Sequence, residues 1–129
     1  MLDTVLRVYS EQFDVNLFVN HYQNLVISDV FKKGEPDMFG NPNTYSGFDV
    51  IVAENESSEA CIERIQQFLD IHQQAFSFLK ANNVTCVLDL DVTVTTSDEM
   101  PTPLNLPAEL LGTLNKLNIA IEFTAYPQH

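Results

Sequence analysis

The sequence predicts an α+β domain, with helices packed on one face of a mainly antiparallel sheet, on three observations. Strand-like and helix-like stretches interleave in the order β-α-β-β-α-β, followed by α-β. The clearest strand, Val84 to Thr96, alternates apolar with polar residues, as expected of a sheet with one dry and one wet side. The chain has 129 residues, 45% of them apolar, which is the size of one domain with a real core, so residues 1–129 are read as a single unit.

Thr4 to Tyr9 is rich in β-branched and aromatic residues and reads as the first strand. Asp14 can cap a short helix in which Val15, Phe18, Val19 and Tyr22 fall on one face. Leu25 to Phe31 then reads as a second strand, closed by Lys32-Lys33-Gly34-Glu35-Pro36. The segment from Lys32 to Thr44 holds two of the six prolines and two of the four glycines and predicts a long mobile loop. Tyr45 to Ala53 forms a third strand, with Phe48, Val50 and Val52 on one side and Asp49 and Ile51 on the other.

A long helix follows. Ser57 or Ser58 can cap it, and Cys61, Ile65, Phe68, Leu69, His72, Ala75, Phe76 and Leu79 keep a 3.6-residue period up to Asn82-Asn83, where Asn permits the left-handed closing conformation. In the next strand Val84, Cys86, Leu88, Leu90, Val92 and Val94 face the core, which leaves Asp89 and Asp91 on the wet side. Pro101, Pro103 and Pro107 punctuate a loop before a helix over 107–117, whose apolar face is Leu110, Leu111, Leu114 and Leu117. Asn118 stops that helix, and Ile119, Ile121 and Phe123 alternate with Ala120, Glu122 and Thr124 in a last strand. The order begins with the split β-α-β pattern of ferredoxin-like sandwiches.

Six Lys and Arg stand against eighteen Asp and Glu, a net charge of −12. Like-charge repulsion argues against nucleic acid or an anionic membrane as partner and favours a basic protein. The chain opens without a basic segment and apolar run of the secretory kind, and no uncharged stretch approaches the ~20 residues a membrane span needs, so a cytoplasmic location is expected.

The residue patterns predict no enzyme and no cofactor. Cys61 and Cys86 both fall at core positions, and a straight helix between them would hold them roughly 30 Å apart, so two free buried thiols are expected. His21, His72 and His129 lack partners at metal-ligand spacing. Lys32-Lys33-Gly34-Glu35 lacks the spacing of a phosphate loop. Asp89-x-Asp91 places two carboxylates roughly 7 Å apart on one strand face, too few ligands for a hard cation. Joined by Asp49 and Glu122 from other strands, they make an acidic patch suited to Lys or Arg of a partner. Phe39 and Tyr45 flank the Gly/Pro-rich segment, where rigid aromatics could serve as interface anchors.

The chain resembles a bacterial domain-of-unknown-function family, DUF four-two-seven-nine, over nearly its whole length. The resemblance lies in Phe13-Asp14 before a short helix, Val30-Phe31-Lys32-Lys33-Gly34-Glu35-Pro36, Tyr45-Ser46-Gly47-Phe48 opening a strand, and Pro103-Leu104-Asn105-Leu106-Pro107-Ala108-Glu109-Leu110-Leu111. Phe31 stands where such sequences often carry Trp. The resemblance implies an α+β sheet domain and no catalytic residues. Small acidic chains of this kind are similar to immunity proteins of polymorphic or contact-dependent toxin systems. The implied function is neutralisation of a cognate toxin, a basic nuclease being the natural match, through Asp49, Asp89, Asp91 and Glu122, with Phe39 and Tyr45 as added contacts. The alternative is a homo-oligomeric structural or ligand-binding module that dimerises through the uncovered sheet face.

Overall fold

The computed structural model describes residues 1–94 and 103–127. Five strands, β1 (Leu2–Ser10), β2 (Asp29–Phe31), β3 (Ser46–Glu56), β4 (Thr85–Val94) and β5 (Ile119–Pro127), form one sheet in the order β2-β3-β1-β4-β5. β1 is antiparallel to both β3 and β4, β2 is antiparallel to β3, and β5 joins β4 in parallel. The first four strands thus have the ferredoxin-like split β-α-β order, with β5 added at one side. Helices α1 (Val15–His21), α2 (Ser58–Ile71), α3 (Gln73–Ala81) and α4 (Ala108–Lys116) cover one face.

Parity places the core. Leu2, Leu6 and Val8 of β1, Phe48 and Val50 of β3, Cys86, Leu88 and Leu90 of β4, and Ile119 of β5 point into the helix layer and are buried. They meet Cys61, Ile62, Ile65 and Leu69 of α2, Phe76 and Leu79 of α3, and Leu110 and Leu114 of α4 in one cluster. Thr4 shares this dry face, and its hydroxyl lies 3.0 Å from the Cys61 sulfur, which satisfies a polar group that burial would otherwise leave unpaired. Both cysteines are free and buried; burial pushes the Cys86 thiol up to about 12 and also raises Cys61. Phe18 stacks on Phe48 and also meets Phe13, Tyr22 and Phe78, so α1 is fixed to the sheet by an aromatic cluster.

The helix ends follow local chemistry. The Asp14 carboxylate accepts from the Leu17 amide at 3.1 Å, and the Ser57 hydroxyl accepts from the Ala60 amide at 3.3 Å. Asn83 and Asn118 take φ of 56° and 58° just after α3 and α4, as their sequence positions predict.

Several expectations are corrected. The second strand is three residues rather than seven: the Ser28 amide and hydroxyl both donate to the Asp49 carbonyl and close the ladder, while Leu25 turns into the core. Within the Lys32–Thr44 segment the chain folds back on itself as a hydrogen-bonded arm. Gly34 and Asp37 amides donate to the Asn43 and Asn41 carbonyls, the Asn43 amide donates back to Glu35, and Gly34 and Gly40 supply positive φ. The long helix divides at His72, which ends α2 and starts α3; its imidazole packs on Phe68, and partial burial lowers its pKa. No Gly or Pro marks that break.

In β3 a bulge shifts the parity, so that Ala53 rather than Val52 opposes Thr4 on the dry face; Asn55, with φ 48°, lies beside it. Leu111 and Val94, on the apolar faces that the sequence predicts for α4 and β4, are exposed, as is Phe123 of β5. Thr95, Thr96, Pro101 and His129 lie outside the described residues. Replacing Asn118 by Ala, which tolerates positive φ poorly, is expected to lower stability by about 1 kcal/mol, whereas Asn118→Gly changes it little; urea denaturation of both variants checks this.

Candidate protein-binding interface

The strand registers arrange the uncovered face in rows. At one end Phe31, Gly47, Tyr9 and Thr85 lie side by side. Next come Asp29, Asp49, Arg7, Val87 and Ala120, then Ile51, Val5, Asp89 and Glu122, and last Asp3, Asp91 and Thr124. Among the described residues, six carboxylates therefore share these rows with one cation, Arg7. Asp49, Asp89, Asp91 and Glu122 are gathered there as their sequence positions predict.

The carboxylates are not equivalent, and this corrects the expectation that Asp89 is a solvated surface group. Asp89 is only 2% exposed. Its Oδ2 accepts from Arg7 Nη1 at 2.9 Å and its Oδ1 from the Thr124 hydroxyl at 3.1 Å, so it is a structural anchor joining β1, β4 and β5. The Arg7 side chain is 45% exposed, which leaves the pair partly screened by solvent. Arg7 could have been read from the sequence: it stands between the inward Leu6 and Val8, and parity therefore sends it to the wet side.

Asp49 and Asp91 are half-buried, and one oxygen of each is buried without a hydrogen-bond partner among the described residues. Burial raises the Asp49 pKa; Arg7 opposes the rise and Asp29 adds to it. Burial also raises the Asp91 pKa, and the neighbouring Asp89 carboxylate adds to the rise while Arg7 opposes it. Asp3, opposite Asp91 on β1, accepts from the Asn55 amide at the bulge. Asp29 and Glu122 are exposed.

The row nearest the arm is aromatic. Phe31 lies over Gly47, where a Cβ would collide with the Val8 carbonyl oxygen and the Phe31 ring, so only glycine fits. Tyr45 packs on Tyr9 with ring centroids 5.0 Å apart and remains exposed. The arm projects from this end. The Asp37 carboxylate accepts from the Phe39 and Asn41 amides and so fixes the tip, where Met38 and Phe39 are 88% and 81% exposed. The sequence marked Phe39; Met38, Asp29, Arg7 and Thr124 were not singled out from it.

A separate cleft of about 440 Å³ opens between α1 and α3, lined among others by Phe13, Leu17, Phe18, His21, Tyr22 and Phe78. Gln12, Asp14 and Asn82 also line it, so its wall is mainly apolar with a polar minority. Among the described residues no three His, Cys, Asp or Glu side chains are gathered to hold a metal ion, and no helix is long and apolar enough to cross a membrane. No protein-family model, curated protein or solved structure matches this chain.

Removing Arg7 strands the Asp89 charge in a dry site. Arg7→Met is expected to cost roughly 2–3 kcal/mol, discounted from a fully buried pair for the exposure of the guanidinium. Asp89→Asn, which keeps an acceptor toward Arg7, should cost less; chemical denaturation ranks the two. For Asp49 and Asp91 the folded pKa lies above the ordinary 3.8, so the stability they contribute is complete below that value and is lost as pH rises through the raised folded value. Asp91→Asn is therefore expected to raise Tm by about 2 °C at pH 7, with no gain near pH 3, as thermal melts at the two pH values would read.

Proposed function

We propose that this chain is an immunity protein, an antitoxin that acts in the cytoplasm by binding and neutralising a basic toxin domain, with a nuclease as the best chemical match. The observation that carries the reading is the uncovered sheet face, where six carboxylates surround one arginine that is already paired. A nuclease cleft must be positive to hold phosphates, so such a cleft and this face attract one another. The net charge of −12 adds long-range steering, which raises the encounter rate. Fast association matters for an antitoxin, because free toxin acts before it is captured.

Short-range chemistry on the same face fits this role. Exposed Asp29 and Glu122 offer carboxylate acceptors to Lys or Arg donors, and half-buried Asp49 and Asp91 add negative charge behind them. Tyr45, Phe39 and Met38 add rigid or adaptable apolar contacts at the arm end. Asp89 serves indirectly, by holding Arg7 and Thr124.

The test is co-expression with the protein encoded immediately upstream, followed by affinity purification and a growth assay. Stoichiometric co-purification with rescue from toxicity supports the reading; neither binding nor rescue removes it. In the complex, the double variant Asp49→Lys with Glu122→Lys is expected to slow association about tenfold at low salt and to flatten its salt dependence. Unchanged kinetics would move the interface off this face.

A further inference from the structure

The two edges of the sheet are treated differently. At one edge β2 has three residues, its ladder is closed by Ser28, and the chain then enters the arm through Pro36. Such a short, interrupted edge resists pairing with another chain. At the other edge β5 runs nine residues in unbroken register with β4, from Cys86 opposite Ile119 to Val94 opposite Pro127. Its outer side has no strand partner among the described residues. β5 contains no Lys and no bulge, its one charge is Glu122 and its one proline is the last residue, Pro127, so most of its edge lacks the devices that keep a long edge from pairing.

Side chains and charge favour a second copy as the occupant. Phe123 sits on the helix side of β5 by parity with Ile119, yet it is 49% exposed, and Tyr126 and Leu111 of α4 are also exposed. Residues 103–127 carry only Glu109, Lys116 and Glu122, a net charge of −1 within a chain of −12, so two copies can approach here with little of the repulsion found elsewhere. The sequence is also self-complementary about Phe123. An antiparallel pair centred there sets Phe123 against Phe123 of the second copy on the helix side, Glu122 against Thr124, and Ala120 against Tyr126 on the open side. No like charges face each other, whereas a centre one residue earlier would oppose the two Glu122 carboxylates.

We propose that this chain forms a symmetric dimer through antiparallel pairing of β5 edges centred on Phe123, which joins two five-stranded sheets into one of ten strands. The dimer leaves the acidic face of each copy free and so does not depend on the immunity reading.

Sedimentation equilibrium over a wide concentration series tests it. The wild-type mass is expected to rise from 14.6 kDa toward twice that value. Phe123→Lys, which places a charge where two copies meet, is expected to weaken association at least about tenfold, with circular dichroism and melting showing the variant folded. Ile51→Lys, an equally exposed position on the open face, should leave association unchanged. Should Phe123→Lys fail to fold, amide exchange of the wild-type chain decides: β5 amides become protected as concentration rises if they pair across the edge. A wild-type mass fixed at one chain overturns the proposal, as does a dimer unaffected by Phe123→Lys or dispersed by Ile51→Lys, or β5 amides indifferent to concentration.

Discussion

Covering one face of a sheet and leaving the other to water obliges every strand to sort its side chains by parity, and β1, the central strand, shows how strictly this is done. Leu6 and Val8 are fully buried on one side, while Arg7 between them points to the other. β1 pairs with β3 and β4, so its parity sets theirs: Asp49 falls opposite Arg7, and Asp89 falls one row away on the same face. A one-residue slip would send Arg7 and Asp89 into the helix layer, where neither could be solvated or paired. The hydrophobic layer and the acidic face are therefore consequences of one register.

The Arg7–Asp89 pair lets an otherwise repulsive face hold together. Six carboxylates on neighbouring strands would push those strands apart, and the arginine offsets part of that repulsion at the centre of the sheet. Thr124 adds a second hydrogen bond and ties in β5. Asp49 and Asp91 are left with an unfavourable balance, half-dehydrated and incompletely hydrogen-bonded, and their raised pKa values express it. Such groups lower the stability of the free chain at neutral pH.

The arm and the aromatic row show a related division of labour. Gly47 allows β3 to approach β1 closely, the Phe31 ring fills the space above it, and the Tyr9–Tyr45 contact continues the apolar strip. Two glycines with positive φ and the Asp37 carboxylate then hold the arm without a core beneath it. Order in this segment comes from local hydrogen bonds, which is why exposed Met38 and Phe39 can stand at a defined tip.

Local rules determined much of this protein from the sequence: the α+β class, the alternation of β4, the caps at Asp14 and Ser57, and the closing asparagines at 83 and 118. These features depend on neighbours within a few residues, which a linear pattern contains. The gathering of Asp49, Asp89, Asp91 and Glu122 on one face was also legible, since strand parity assigns sides before pairing is known. Only the tertiary structure decided that Asp89 is buried beneath Arg7 and Thr124, because that requires the registers of β1, β4 and β5 relative to one another. It likewise decided that β2 is short, that a bulge replaces Val52 by Ala53 in the core, that Phe123 and Leu111 are exposed, and that the Gly/Pro-rich segment is a hydrogen-bonded arm. Each of these depends on where a distant part of the chain ends or what it leaves uncovered, and periodicity, which reports only which side a residue faces, carries no such information.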